Sequence, residues 1–160
     1  MTGDAQFDRT DLRLLAEIQQ HGRATNAELA ARVNLSPSAC LRRVQRLESE
    51  GVIAGYGARL EPRQIGLGLQ AFVRVQLEKH DQHAIGVFAD SVVEWDEVVA
   101  CHALTGDMDY LLHIYVRHLE HFSSFLLDKL LNAAGVADVN SSFVLRTVKE
   151  FRALPLSQLE

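Results

Sequence analysis

The feature that most constrains this chain is a change of hydrophobic period near its middle. Up to Gly51, apolar residues recur at three- and four-residue spacing, the period of helices that bury one face. From about residue 69 they alternate or run in short stretches, the period of strands, with two helical stretches between them. A length of 160 residues suits one ordinary domain or two small ones, and the switch decides for two. Hydrophobic residues make up 48%, enough to build both cores.

Three helices are predicted before the switch. Asp8 is placed to cap the first, because its carboxylate accepts a free amide of the first turn, and Phe7 and Leu12 flank it as a hydrophobic staple. Leu14, Leu15 and Ile18 continue the stripe, and Gly22 stops it. Thr25 and Glu28 form a capping box for a second, short helix that buries Leu29, Ala30 and Val33, and Asn34 and Leu35 break it. In "SPSACLRRVQRLESEG", Ser36 caps a third helix and Pro37 takes its first position, where a missing N–H costs nothing. Cys40, Val44 and Leu47 share the inner face. Ser38, Arg42, Gln45, Arg46 and Ser49 fall on the far side, with Arg43 on the flank.

A short helix, a tight break, then a helix with a polar and basic outer face is the helix-turn-helix pattern, here expected to be winged-helix-like. The second helix of such a pair enters the major groove of double-stranded DNA, and its first turns reach base edges. Arginine suits the task because its planar fork bonds guanine bidentately or grips phosphate. The candidate DNA contacts are Ser36, Ser38, Arg42, Arg43, Gln45 and Arg46. Any one of these arginines alone reads as a solvated helix residue; spacing, caps and local charge together carry the DNA reading. The net charge of −5 argues against a protein that coats nucleic acid generally. Positive charge is local: residues 1–60 hold eight Lys/Arg against seven Asp/Glu, and residues 61–160 hold eight against fourteen. Within residues 24–46, four arginines face Glu28 alone.

"VIAGYGARLEP" then predicts a strand, and "EPRQIGLGLQ" a linker loosened by Gly66 and Gly68. The expected division is 1–61 for the helix-turn-helix domain, 62–68 for the linker and 69–160 for a second domain. In that second domain "LQAFVRVQLEK" alternates, with Val73, Val75 and Leu77 on one face. A helix follows with Ile85, Phe88, Ala89 and Val92 at helical spacing. "EVVACHALTG" and "DYLLHIYVR" form an antiparallel hairpin. A second helix sets Leu119, Phe122, Leu126 and Leu130 on one face, and "VADVNSSFVLRTVKEF" is the last strand. The order βαββαβ is the ferredoxin-like plan, so the whole chain is α+β. One face of that sheet is left uncovered, exposing alternate residues of apolar strands beyond what a monomer usually tolerates. A partner sheet is the simplest cover. A homodimer is therefore expected, and a two-fold dimer presents two helix-turn-helix heads to two half-sites.

With these segments read, the chain resembles the Lrp/AsnC (feast/famine) family of bacterial and archaeal transcription regulators over nearly its whole length. The resemblance rests on "FDRTDLRLLAEIQQHGR", "SPSACLRRVQRLESEGVIAGY", "TGDMDYLLHIYVR" and "GVADVNSSFVLRTVKE". It implies an N-terminal DNA-binding domain and a C-terminal ligand-sensing domain. It also implies dimers that often assemble into octamers and, in many members, an amino acid held where dimers meet.

Read from its residues alone, the turn "TGDMD" is an acidic hairpin tip, with Gly106 permitting a tight turn; it is either a solvated loop or a site. The resemblance implies the site, made of Thr105, Gly106, Asp107, Met108 and Asp109. Gly106 would let a carboxylate approach backbone amides, Asp107 or Asp109 would meet an ammonium group, and Met108 would line the apolar part. Asn140 and Ser142 are weaker candidates. An apolar amino acid such as leucine or methionine is expected as effector, because the neighbouring apolar strands offer little to a charged side chain.

No apolar run approaches the roughly 18 residues of a membrane span. "MTGDAQFDRTD" is polar and acidic, unlike a signal peptide. Cys40 and Cys101 form no CxxC or Cys/His cluster, so a cytoplasmic protein without metal or cofactor is expected. Cys101 reads as a structural cysteine, and His102 and His113 as sheet residues. The pairs His80/His83 and His118/His121 have metal-like spacing but lack further ligands. The competing reading is an enzyme, since some sirohaem decarboxylase subunits share this two-domain plan. Their His, Tyr and Arg cluster around a tetrapyrrole has no counterpart in this sequence.

Overall fold

Caps set the N-terminal helices. The computed structural model describes residues 7–78 and 82–159, with residues 82 and 83 described by backbone alone, so the expected pair His80/His83 lies outside the described residues. Helix α1 (Arg9–Gln20) begins where Asp8 Oδ1 accepts the Asp11 amide at 2.7 Å. Helix α2 (Asn26–Arg32) begins at a capping box in which the Thr25 amide donates to Glu28 at 2.7 Å. Helix α3 (Pro37–Ser49) begins at Ser36, whose hydroxyl accepts the Ala39 amide at 3.3 Å. Between α2 and α3, Asn34 takes a left-handed conformation, φ 56°, that asparagine tolerates better than most residues. The Leu35 amide then reaches back to the Ala30 carbonyl at 2.9 Å and closes the turn. Asn26 Nδ2 donates to the Pro37 carbonyl at 2.8 Å, tying the start of α2 to the start of α3.

Leu14, Cys40 and Leu47 are fully shielded beneath the three helices, with Ile18, Leu29, Ala30 and Val33 around them. Each such buried leucine contributes about 1.5–3 kcal/mol relative to exposure. The expected strand after α3 does not form among the described residues. The Val52 and Ile53 amides both turn back to the Leu47 carbonyl, at 2.9 and 3.1 Å, and no strand pairs with residues 54–61. The linker instead holds a short 3-10 turn (Pro62–Ile65) that ends at Gly66 in the left-handed region, φ 88°.

The chain packs into two compact units, and the division differs from the expected one at the tail. One unit joins residues 7–59 to 149–159; the other is 60–148. Leu156 packs against the helical core of the first unit. Gln19 clasps Leu154 in both directions: Oε1 accepts its amide at 2.6 Å, and Nε2 donates to its carbonyl at 3.3 Å.

The second unit holds strands β1 (Leu69–Leu77), β2 (Val98–Ala103), β3 (Tyr110–Val116) and β4 (Val136–Phe143), with helices α4 (Gln82–Val93) and α5 (Leu119–Ser124). The sheet order is β2-β3-β1-β4 with every pair antiparallel, the ferredoxin-like arrangement. Alternation is strict on β1, as expected, and on β3 as well: Ala71, Val73, Val75 and Leu77 of the first and Leu112, Ile114 and Val116 of the second are buried. Phe88 meets Tyr110 at a ring distance of 4.9 Å, and Trp95 meets Phe125 at 5.6 Å.

The sequence reading needs correction in four places here. On α4, Phe88 and Val92 are buried, but Ile85 and Ala89 are exposed. After α5 the helix widens to π geometry (Phe125–Leu130), with the Leu131 amide bonded to the Leu126 carbonyl at 2.9 Å. Phe122 and Leu130 are buried as expected and Leu126 is half-buried; the widened turn brings Phe125 to the core as well, and Leu119, the first residue of α5, is exposed. Strand β4 ends at Phe143, opposite Ala71, with the Val144 amide still donating to the Gln70 carbonyl at 2.9 Å. The open sheet face is mixed rather than wholly apolar: it carries Gln70, Phe72, Arg74, Leu111, His113 and Tyr115. Several of those residues bind one another. Phe72 stacks on His113 at 4.5 Å, the Gln70 amide meets His113 Nε2 at 2.7 Å, and Arg74 donates to Asn140 Oδ1 at 2.8 Å.

Candidate nucleic-acid interface and sensor turn

The exposed face of α3 is built by its caps and its buried residues. Cys40 and Leu47 point into the core, which turns Ser38, Arg42 and Gln45 to solvent; Ser36 is exposed at the cap. Ser36 and Ser38 hydroxyls lie 3.3 Å apart on the first turn. Ser38, Arg42 and Gln45 share one outward face of α3, with Ser36 at its cap.

Arg43 and Arg46 depart from it. The sequence reading puts Arg46 on the far side of α3, yet both guanidinium groups turn toward α1. Arg43 Nη1 donates to Asp11 Oδ1 and to Asp8 Oδ2, each at 2.7 Å, and Arg46 Nη2 donates to Asp11 Oδ2 at 2.6 Å. Asp11 is 1% exposed. The Asp11 amide first, and Arg43 second, hold the Asp8 carboxyl below its usual range. Bonds from Asp11 and then Asp8 raise the Arg43 guanidinium in turn. Sequence reasoning saw Asp8 only as a cap and missed Asp11 altogether. The available signal was the i, i+3 spacing of Arg43 and Arg46, which sets two cations on one flank of a helix.

The turn between β2 and β3 is closed by the Leu104 amide on the Asp109 carbonyl at 2.8 Å. Gly106 has φ 119°, a conformation that favours glycine. Thr105, Gly106 and Asp107 are exposed, and Met108 is half-buried beside them. Asp109 is turned inward: its Oδ2 accepts the Leu77 amide at 2.7 Å, and its own amide donates to the Val75 carbonyl at 2.9 Å. Asp109 therefore braces β1 against the hairpin at the point where the β1–β4 register shifts, between Gln76 and Leu77. Asn140 and Ser142 are not brought to the turn. They sit on β4, with β1 between them and the hairpin, opposite Arg74 and Phe72.

Several other titratable groups are engaged with partners of their own. His118 Nδ1 accepts the His121 amide at 3.2 Å as the cap of α5. Glu97 receives Lys129 at 2.8 and 2.9 Å and has His121 at 3.5 Å; burial pushes its carboxyl up, but these bonds outweigh it and leave it lowered. Burial raises the Cys101 thiol, which packs half-buried against the sheet core. No helix among the described residues is long and apolar enough to cross a membrane.

Residues 7–54 match the family model described as winged helix-turn-helix DNA-binding, and residues 70–154 match the Lrp/AsnC ligand binding domain. The chain is 38% identical over 152 residues to the Bkd operon transcriptional regulator of Pseudomonas aeruginosa, covering 95% of this chain and 99% of that one. It is 38% identical over 148 residues to the leucine-responsive regulatory protein of Escherichia coli K12, covering 92% and 90%. A crystal structure of a Neisseria meningitidis transcriptional regulator in complex with L-methionine matches with a TM-score of 0.93 and 47% identity, over 97% of this chain and 100% of that one. A feast or famine regulatory protein of M. tuberculosis complexed with L-methionine matches at 0.81 and 34% identity, over 93% and 99%.

Proposed function

We propose, for a chain that belongs to the Lrp/AsnC family of DNA-binding transcription regulators, that α3 reads an operator and that the turn 105–109 helps hold an apolar amino-acid effector. The observation that carries the DNA reading is the outward surface of Ser36, Ser38, Arg42 and Gln45 on a helix fixed by caps at both ends of the preceding turn. Arg43 and Arg46 flank that surface.

For the effector, Gly106 leaves the tip open to close approach, and Met108 supplies an apolar wall. Asp107, exposed at the tip, is the carboxylate free to meet an ammonium group through a charge-assisted bond. Asp109 serves by shaping the turn. Methionine and leucine lead the effector class, supported by the two methionine complexes and the leucine-responsive relative. The protein acts as a non-enzymatic, cytoplasmic homo-oligomer. The open sheet face, with Phe72, His113 and Tyr115 half-buried on a single chain, supports a partner there. Effector binding changes DNA affinity only if one assembly or conformation binds it better than another.

Gel-shift titrations with a duplex selected from a random pool, paired with calorimetry against methionine, leucine and charged amino acids, test the reading. Tight, salt-sensitive DNA binding and a preference for apolar amino acids are expected. A colourless protein that binds neither DNA nor amino acid would overturn it. A protein that takes up a tetrapyrrole would favour the enzyme reading instead.

A further inference from the structure

The helix-turn-helix unit supplies its own anions to the cations that DNA would use. Asp11 is 1% exposed, yet its two oxygens hold two guanidinium groups, Arg43 at 2.7 Å and Arg46 at 2.6 Å. Asp8 holds Arg43 a second time at 2.7 Å. The arginine side chains are not buried with their partner: they remain 30% and 44% exposed. The arrangement is a carboxylate inside, cations at the surface, and solvent beyond. A phosphodiester offers a guanidinium the same pair of anionic oxygens that a carboxylate does.

We propose that Asp11, seconded by Asp8, is a built-in competitor for phosphate that holds Arg43 and Arg46 back from indiscriminate contact with the DNA backbone. Base reading then falls to Ser38, Arg42 and Gln45, and among the described residues Arg42 makes no ion pair. The inference rests on the DNA-binding reading of α3 and adds a determinant of its specificity. A phosphate that takes both arginines strips Asp11 of its cations and leaves a carboxylate away from water with only the Asp8 amide, at 3.4 Å, to hold it, which is costly. Weak, sequence-blind contacts cannot offset that cost. A well-fitted operator, with base contacts added, can. Asp11 thereby widens the gap between specific and non-specific binding, even though it lies on α1 and faces away from solvent.

Asp11→Asn keeps the shape and removes the charge. Asp8→Asn keeps a good helix cap and frees Arg43 from its exposed partner only. Binding is measured over a salt series for a selected high-affinity duplex and a scrambled duplex of equal length. For Asp11→Asn, affinity for the scrambled duplex should rise roughly three- to tenfold at low salt, and the slope of log K against log salt should steepen by about one to two, as released cations meet phosphates. The ratio of specific to scrambled affinity should fall. Asp8→Asn should move both quantities in the same direction by less. Leu14→Ala, which loosens the same core without touching charge, should leave the slope unchanged. Unchanged slopes in both aspartate variants, or equal weakening on both duplexes, would overturn the inference and leave Asp11 a purely structural tie. If Asp11→Asn does not fold by circular dichroism, the slope of Asp8→Asn decides. A wild type that shows no salt-dependent DNA binding would instead remove the DNA reading itself, a distinct failure.

Discussion

Asp11 and Asp109 are both drawn in from solvent, and each ties its own element to a different part of its unit. Asp11 is neutralised by two guanidinium groups from a different helix. Asp109 is satisfied by a main-chain amide of the neighbouring strand, Leu77. A carboxylate held by cations ties two elements and can be outcompeted by another anion. A carboxylate that accepts a main-chain amide fixes local backbone geometry. In both units an aspartate beside the candidate surface is thus tied to another element, and in the first the groups it ties are cations that a phosphate also draws.

The sharpest test of that difference is Asp11→Ala. Losing a buried acceptor of two charge-assisted bonds should destabilise the chain by about 2–3 kcal/mol in urea unfolding. A near-neutral result would break the comparison, because the arginines would then be content without their anion. Next in size is Arg42→Ala, which should weaken operator binding by about 1–3 kcal/mol in gel shifts while altering stability by less than about 0.5 kcal/mol. Asp109→Ala should cost about 1–2 kcal/mol by leaving the Leu77 amide unpaired, with DNA affinity at wild-type level; Asp109→Asn, which keeps an acceptor, should recover most of the loss. Asp107→Asn should change stability by less than about 0.5 kcal/mol, yet abolish the methionine response in calorimetry.

The smallest effect is one of pH. Burial first, and the charge of His102 second, hold the His113 imidazole below its ordinary value of 6.5. The folded chain then binds fewer protons than the unfolded chain below that pH, so His113 costs nothing at neutral pH and reduces stability as pH falls through 6.5. His113→Gln should flatten that acid limb in unfolding midpoints taken between pH 7.5 and 5.5, values that span about one unit either side of the ordinary histidine range. A limb that is unchanged would remove His113 as its source.

What was legible in the sequence follows the range of the interactions. Asp8, the pair Thr25 and Glu28, and the pair Ser36 and Pro37 announce helix starts because each cap acts across three residues. The alternation of β1 and β3 is equally local, and with it came the βαββαβ order. The ion cluster was not legible, because Asp11 finds its arginines 32 and 35 residues away. Nor was the inward turn of Asp109, which depends on an amide 32 residues earlier. The false strand at 52–61 has strand-like composition, but composition supplies no partner to pair with. The widened turn at Phe125–Leu130 adds a residue to the helical count, which is why Phe125 joins Phe122 and Leu130 in the core without a signal in the spacing.

The clasp of Gln19 on Leu154 spans 135 residues of chain. On a ribosome, α1 to α3 emerge early, whereas the segment that docks on α1 is synthesised only after every strand of the sheet. Closing so long a loop costs only slowly growing entropy, but contacts of such separation form late. During that interval the place of Leu156 on the helical core stands open. Completion of the first unit therefore waits until every strand of the sheet between its two halves has been synthesised, an order of events written into the path of the chain.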